Sequence, residues 1–282
     1  MVKRSDVKVA VLRIEGTNNE QEMWDCFHEL GAQPELVHLN QLVKKDLPKA
    51  EKRSLDDYHV LMLPGGFSAG DYIRAGAIYA ARMKAAIPKE IEAFVAAEKP
   101  IGGMCNGFQI LVELGLLPGR GAKLPLFPDA VLNRNDSALF ECRPTLLKHR
   151  NKGKCAFTRG IRDGEVRLIP SAHAEGKLML PTSEQEKTLK RLWENDQVVF
   201  TYTDPEGRDK PAYPWTPSGS LDGIAGITNE AGNVFGMMPH PERVFHRWQH
   251  PDWTRDPSHA PDGPGDGRAV FESVLAYVER KF

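Results

Sequence analysis

A cysteine between two glycines is the first feature of this sequence that could do chemistry. Gly103-Met-Cys105-Asn-Gly107 lies between a short apolar run and a helix-forming run. This is the spacing of a nucleophile on a tight strand-to-helix turn, where flanking glycines avoid side-chain clashes. The helix N-terminus favours thiolate over thiol, and its N–H groups can stabilise an oxyanion. Free cysteines are more often inert core residues, but this context favours Cys105 as a nucleophile.

A cysteine nucleophile needs a base, and the base needs a group that orients it. Met238-Pro-His240-Pro-Glu242 follows an apolar run, and its prolines favour an extended backbone. Extended residues two apart share a face, so His240 and Glu242 can point to the same edge of a sheet. We therefore predict a triad of Cys105, His240 and Glu242.

A second glycine turn follows another apolar run. In Pro64-Gly65-Gly66-Phe67 the glycine pair lets the backbone approach a ligand and turn an N–H inward. The alternative is a plain turn. We predict that Gly65 and Phe67 contribute to substrate binding.

These motifs need a scaffold, and the first part of the chain alternates apolar runs with stretches of helical composition. The predicted strands cover residues 7–12, 36–39, 58–63 and 100–104, and the predicted helices cover 20–30, 75–97 with a break at Pro88, and 108–114. Such alternation predicts an α/β fold, with a parallel sheet and helices on both faces.

The pattern changes after Pro118, where short β-like stretches follow one another. Those at 130–132, 139–142, 166–169 and 198–202 predict an antiparallel addition to the main sheet, those at 224–228 and 234–238 a hairpin, and 267–282 a closing amphipathic helix. We interpret residues 1–282 as one domain with two insertions. The insertion at 181–197 is expected to be partly helical, and the one at 245–267 a loop.

Composition excludes several classes of function. The chain has 282 residues, 41% of them hydrophobic, and 37 basic residues balance 38 acidic ones. This balance gives no reason to expect nucleic acid as a partner, and no apolar run approaches the roughly 20 residues that span a bilayer. The four cysteines form no CxxC pair, so neither a disulfide framework nor a metal site is expected. Without an apolar signal segment near Met1, we expect a cytoplasmic protein.

Six motifs in this order resemble a known family. They are Glu15-Gly-Thr-Asn18, the stretch 63–76, the stretch 103–109, the stretch 135–143, Ser171-Ala-His-Ala-Glu-Gly176 and the stretch 237–243. Together they resemble triad-type glutamine amidotransferases and, within that group, the glutaminase component of phosphoribosylformylglycinamidine synthase. The resemblance implies a flavodoxin-like fold and hydrolysis of L-glutamine.

The resemblance also implies a role for each motif residue. Cys105 would attack the side-chain amide, His240 would take the thiol proton and return it to departing ammonia, and Glu242 would orient His240. The backbone N–H groups of Gly66 and Asn106 would form the oxyanion hole. Gln109 would lie near the substrate.

The resemblance further implies partners. Ammonia would pass to a separate synthetase subunit, which uses ATP and Mg²⁺ to amidate formylglycinamide ribonucleotide, and a small bridging subunit could join the two. This chain would carry no cofactor of its own, and it has no G-x-x-x-x-G-K-[ST] phosphate loop. The long stretch after Arg243 leaves open which kind of partner this chain uses.

The polar stretch at 171–177 has no role in the triad, and its glycine and small residues suit a loop. His173 and Glu175 are therefore candidates for a partner interface near the mouth of the glutamine site. The alternative is that they satisfy each other or a buried backbone group.

Two other functions remain open at this point. One is a cysteine hydrolase on a related α/β fold, which an assay of peptide cleavage against glutaminase activity would separate. The other is a non-catalytic module that has kept the fold and only contacts partners.

Overall fold

The strands alternate with helices in the first half of the chain and follow one another in the second. In a computed structural model that describes residues 1–43, 46–255 and 260–282, the strands are β1 (Lys8–Arg13), β2 (Gln33–His38), β3 (Val60–Leu63), β4 (Ile101–Met104), β5 (Val131–Asn133), β6 (Glu141–His149), β7 (Val166–His173), β8 (Lys177–Met179), β9 (Val198–Thr203), β10 (Ile224–Thr228) and β11 (Val234–Met237).

The helices begin and end close to the predicted boundaries. They are α1 (Glu20–Glu29), α2 (Leu39–Val43), α3 (Ala77–Ala86), α4 (Pro88–Ala96), α5 (Asn106–Glu113), α6 (Gln185–Glu194) and α7 (Arg268–Lys281). Pro88 begins α4 and so separates it from α3, as predicted, because proline is tolerated in the first turn of a helix but not inside it.

A nine-stranded sheet, in the order β2-β1-β3-β4-β11-β10-β9-β6-β7, forms the frame of the molecule. The first five strands in this order pair in parallel, and their arrangement is that of flavodoxin-like folds. The remaining strands pair antiparallel. The prediction of a mostly parallel flavodoxin-like sheet with an antiparallel addition is thus confirmed.

Central strands are buried on both faces, which explains why their sequences are continuously apolar. Every residue of β3, β4 and β11 is buried. One hydrophobic core, with Tyr79, Ile91 and Phe108, lies between the sheet and α3–α5. A second core, with Phe27 and Phe271, lies under α1 and α7 on the other face.

Two details of the sheet differ from the sequence-based predictions. The stretch at 130–132 does not join the main sheet, because β5 pairs with β8 in a separate two-stranded sheet. Residues 171–173 are not a loop: β7 continues through His173, because its ladder to β6 extends as far as the pair Glu141–His173.

The two predicted insertions differ in structure. The segment 181–197 contains α6, which agrees with the expected partial helicity, and its Leu192 is fully buried. In the segment 245–267 the described part contains short turns at Arg247–Gln249 and Trp253–Arg255, and residues 256–259 lie outside the described residues. That both segments are insertions stays a prediction. In the described part of the chain, no helix is long and apolar enough to cross a membrane.

Candidate active site

Cys105 occupies the turn between β4 and α5. Its backbone angles are φ 51° and ψ −106°, a strained conformation that costs on the order of 1–3 kcal/mol and is typical of functional sites. The Cys105 N–H donates to the carbonyl of Met237 at 2.8 Å, and the Cys105 carbonyl accepts from the Gln109 N–H at 3.1 Å. The sheet on one side and the helix on the other therefore hold the cysteine in this position.

The turn requires the glycines on either side of Cys105, because there is no room for a side chain at either position. A Cβ on Gly103 would lie 2.5 Å from the backbone of Gly107, and a Cβ on Gly107 would lie 1.9 Å from the carbonyl oxygen of Leu63. The two glycines thus bring β3, β4 and the start of α5 into backbone contact. The role predicted from their spacing agrees with this geometry.

His240 and Glu242 form a buried pair at the end of β11. The imidazole Nδ1 lies 2.6 Å from Oε1 of Glu242, and both residues are 2% exposed. The backbone route differs from the prediction, because Pro241–Val244 is a 3₁₀ turn and not an extended segment. The turn, rather than strand alternation, brings the carboxylate back to the ring.

Burial opposes a positive charge on His240, but the neighbouring Glu242 carboxylate and Cys105 sulfur outweigh it and raise the pKa of the imidazole. Nδ1 must carry a proton to donate to the carboxylate, which leaves Nε2 for the nucleophile. Nε2 makes no hydrogen bond of normal geometry within the described residues. The pair can therefore hold an imidazolium beside a thiolate, as nucleophilic catalysis by cysteine requires.

Cys105 and His240 line one cavity of 270 Å³, which also brings together most of the other predicted residues. Among its walls are Gly66, Phe67, Gln109, His173 and Glu175. Small-molecule sites are concave and have a few convergent polar groups, and this cavity has both properties.

The predicted oxyanion hole lies on two backbone segments that meet at the cavity. Asn106 is the first residue of α5, where helical N–H groups have no intrahelical acceptor. Gly66 adopts φ 129°, which favours glycine. Among the described residues, the N–H groups of Gly66 and Asn106 donate no hydrogen bond. This arrangement suits an oxyanion, and the role stays a prediction.

The side chains of Asn106 and Gln109 are fixed by each other. The Asn106 amide nitrogen donates to Oε1 of Gln109 at 3.0 Å, and its oxygen accepts from the Ser68 hydroxyl at 2.5 Å. The Gln109 amide nitrogen donates to the carbonyl oxygen of Glu175 at 2.7 Å. Gln109 therefore ties α5 to the segment after β7 while it lines the cavity.

Gly65 and Phe67 take different positions in the glycine turn. The Gly65 carbonyl accepts from the Asn19 N–H at 3.3 Å, so this residue is part of the backbone frame. The Phe67 side chain is half exposed, and its ring centroid lies 6.3 Å from that of Phe140. Because both aromatic residues line the cavity, we place them at its mouth.

His173 does not lie on the surface. It is 2% exposed, its Nδ1 lies 3.1 Å from Oδ1 of Asn135, and burial lowers its pKa to about 3. β7 extends further than predicted and carries this side chain inward, and the interface role of His173 stays a prediction. Glu175 is partly exposed, and Oε2 accepts from the Ala75 N–H at 3.0 Å, so its interface role stays a prediction.

The sequence-based argument did not single out Asp71. This carboxylate lines the same cavity, and burial together with the nearby charge of Glu175 raises its pKa to about 6. It lies within the motif at 63–76, shortly after the glycine turn, but nothing in the sequence set it apart from its neighbours. An exposed loop aspartate is the ordinary expectation there.

A cysteine elbow and a carboxylate-bound histidine thus meet at the edge of a flavodoxin-like sheet. The sequence model of the CobB/CobQ-like glutamine amidotransferase domain matches residues 6–278. The chain belongs to this family.

Individual relatives agree with this assignment. The chain is 48% identical to phosphoribosylformylglycinamidine synthase subunit PurQ of Archaeoglobus fulgidus, over 98% of this chain and 99% of the relative. It is 45% identical to the subunit of the same name from Picrophilus torridus, over 86% and 89%. A chain in the structure of PurLQS from Thermotoga maritima superimposes with a TM-score of 0.69 at 32% identity, over 96% and 99%.

Proposed function

We propose that this chain is the glutaminase subunit of a phosphoribosylformylglycinamidine synthase. It hydrolyses L-glutamine to glutamate and ammonia. The ammonia goes to a synthetase subunit, which converts formylglycinamide ribonucleotide to formylglycinamidine ribonucleotide in purine biosynthesis. The observation that carries the proposal is the 2.6 Å contact with Glu242 made by His240, which lines the same cavity as Cys105.

The reaction begins with attack of the Cys105 sulfur on the carboxamide carbon of glutamine. A tetrahedral intermediate forms, and its oxyanion accepts hydrogen bonds from the N–H groups of Gly66 and Asn106. The C–N bond then breaks, and the His240 imidazolium gives its proton to the departing nitrogen, which leaves as ammonia. The product of this half-reaction is a γ-glutamyl thioester on Cys105.

Water completes the cycle. His240, now neutral at Nε2, takes a proton from a water molecule as the water oxygen attacks the thioester carbon. The C–S bond breaks, glutamate leaves, and the thiolate–imidazolium pair is restored. Glu242 keeps the ring in the orientation that both proton transfers require.

The ATP chemistry belongs to the partner in this proposal. ATP and Mg²⁺ are expected on the synthetase subunit, and a small subunit is expected to bridge the two chains. Support comes from relatives named as a synthase subunit and from the similar chain in the PurLQS structure.

The test combines one variant with two nitrogen sources. In the complex reconstituted with its synthetase, we expect Cys105→Ala to lose amidation from glutamine by several orders of magnitude and to keep amidation from ammonium salt. Failure of ammonium to support the reaction would mean that Cys105 does more than release ammonia. Full glutamine-dependent activity of the variant would favour the non-catalytic alternative.

A further inference from the structure

The β1–α1 loop, residues 14–19, supports the glycine turn that carries the predicted oxyanion donor Gly66. The Phe67 N–H donates to the Gly16 carbonyl at 3.0 Å, and Thr17 and Gly66 form an isolated antiparallel bridge. The loop contributes none of the three triad residues, although it contains the first of the six sequence motifs. Its hydrogen bonds instead connect it to the turn.

The Gly65 carbonyl points into this loop. It accepts from the N–H groups of Asn18 and Asn19, at 3.4 and 3.3 Å. The peptide bond that follows is trans, and the C=O and N–H groups of a trans peptide point in opposite directions. The Gly66 N–H belongs to the same peptide group, so it points to the other side of the turn. There it makes no hydrogen bond to any described residue, and Gly66 lines the cavity.

The Asn18 side chain holds the next peptide group. Its Oδ1 atom lies 3.2 Å from the Phe67 nitrogen, and because Phe67 supplies the N–H, the Asn18 atom must be the amide oxygen. Asn18 therefore contacts both peptide groups that flank Gly66, one through its backbone N–H and the other through its side chain. These contacts are close, since a Cβ on Gly66 would lie 2.5 Å from the Asn18 nitrogen and 2.9 Å from Oδ1.

Gly66 needs this support because of its own conformation. Its φ is 129°, a region that glycine enters at little cost, and glycine has more backbone freedom than any other residue. Rotation of the peptide group between Gly65 and Gly66 would turn the N–H away from the oxyanion. Loss of one oxyanion donor lowers kcat by about 100- to 1,000-fold in other enzymes.

We propose that Asn18 is a positioning residue for glutamine hydrolysis, which acts through Gly66 by keeping its N–H directed at the oxyanion. The inference rests on the proposed glutaminase function. Because the Gly16 carbonyl also accepts from Phe67, loss of the Asn18 side chain should cost less than loss of the donor itself. We expect Asn18→Ala to lower kcat roughly 10- to 100-fold.

Two measurements separate positioning from substrate binding. Calorimetry on the full chain carrying Cys105→Ala gives the Kd of L-glutamine, and kcat is measured with an intact Cys105 in the complex with the synthetase. An oxyanion donor acts in the transition state, so adding Asn18→Ala should change the Kd by less than about twofold while kcat falls. Asn40→Ala, the same change at an exposed position, should alter neither.

Alkylation of Cys105 by iodoacetamide measures the nucleophile without an oxyanion. The sulfur forms a bond to the methylene carbon as iodide leaves, and no charge develops on the amide oxygen. Asn18→Ala should therefore keep the wild-type rate of alkylation at Cys105, which peptide mass spectrometry measures. An alkylation rate that falls in step with kcat would show a general disturbance of the site and would overturn the proposal.

Gly16→Ala tests the same support from a residue that is not part of the cavity wall. A Cβ on Gly16 would lie 2.4 Å from the Phe67 carbonyl oxygen, so alanine should push the loop away from the turn, lower kcat and leave the Kd of glutamine unchanged. Weaker glutamine binding in Asn18→Ala, together with normal kcat in Gly16→Ala, would make Asn18 a substrate contact and overturn the proposal.

Unchanged kcat in both variants would overturn it as well. A wild-type complex that hydrolyses no glutamine would instead refute the proposed function, and this inference with it.

Discussion

Gly65 and His240 are packed so closely that the missing side chain of one sets the position of the other. A Cβ on Gly65 would lie 2.8 Å from Cε1 of the imidazole and 3.0 Å from Oδ1 of Asn19. Contacts below about 3.0 Å require one group to move, and the imidazole ring is the group that would be displaced. The glycine turn therefore sets the position of His240, the proposed base, as well as lining the cavity.

We accordingly expect Gly65→Ala to lower glutaminase kcat/KM by roughly 10- to 100-fold, because small displacements of a catalytic group cost that much. Steady-state kinetics in the reconstituted complex measure this effect. Gly121→Ala is the matched control, since no atom lies within 4 Å of a Cβ at that position. Unchanged kinetics of Gly65→Ala would mean that catalysis does not depend on the present position of the His240 imidazole ring.

The charge on His240 should appear in the pH dependence of stability. The Glu242 carboxylate and Cys105 raise its pKa in the folded state to about 10 against burial, whereas the unfolded value is about 6.5. In the wild type the Cys105 thiol can supply that proton, so the linkage is measured in Cys105→Ala, where the Glu242 carboxylate still raises the pKa of His240. There, above pH 6.5, the folded protein holds a proton that the unfolded chain lacks, so the stabilisation is complete below pH 6.5 and is lost as pH rises through the pKa of the folded state.

This linkage predicts a slope in the free energy of unfolding of up to about 1.4 kcal/mol per pH unit in that window. Urea titrations of Cys105→Ala at several pH values would show it. Adding His240→Gln should remove this contribution. A double variant with the pH slope of Cys105→Ala alone would contradict a charged His240.

His173 should act in the opposite direction. Burial lowers the pKa of His173 to about 3. As pH falls below 6.5, the unfolded chain therefore binds a proton at this residue that the folded protein does not bind. We expect the free energy of unfolding to decrease less between pH 6.5 and pH 4 in His173→Gln than in the wild type. Identical acid sensitivity in urea titrations of the two proteins would indicate that His173 is charged in the fold.

The four cysteines should differ in reactivity. Burial raises the pKa of Cys155 to about 11 and also raises that of Cys26, so both are poor nucleophiles in the folded protein. An electrophilic glutamine analogue should modify Cys105 alone, as peptide mass spectrometry would show. Cys142 is exposed and should react with iodoacetamide but not with the analogue. Labelling of another cysteine by the analogue would contradict the assigned nucleophile.

Replacing Gly107, on the C-terminal side of Cys105, with alanine should have the opposite effect on stability from the usual one in a helix. Glycine to alanine inside a helix normally stabilises by up to about 1 kcal/mol. At Gly107 the added Cβ would lie 1.9 Å from the Leu63 carbonyl oxygen, so we expect Gly107→Ala to destabilise by about 3 kcal/mol. Urea unfolding measures the change, and a gain in stability would show that the contact is relaxed in solution.

The elements that could be predicted from the sequence are those with local signals. The β4–Cys105–α5 turn was evident from its glycines, and the β10–β11 hairpin from two apolar runs around a turn. Which strands pair with each other could not be predicted in the same way. The pairing of β5 with β8, and the extension of β7 through the buried His173, depend on which strands are neighbours in the folded chain.

The same limit applies within the site. The identity of the triad residues followed from motifs, but the 3₁₀ turn that joins His240 to Glu242 did not, because prolines on both sides of a histidine indicate extended backbone. Asp71 gave no signal of its own. Its significance comes from Glu175, which is distant in sequence and close in the fold.

The order of strands in the sheet also has a consequence for the timing of synthesis. β11, which precedes His240, lies between β4 and β10 in the middle of the sheet, although it is synthesised after every other strand that the structure describes. Until it inserts beside β4, Cys105 has neither the Met237 carbonyl that holds its N–H nor a base. A nascent chain in which β11 has not yet been made therefore lacks the arrangement proposed for glutamine hydrolysis.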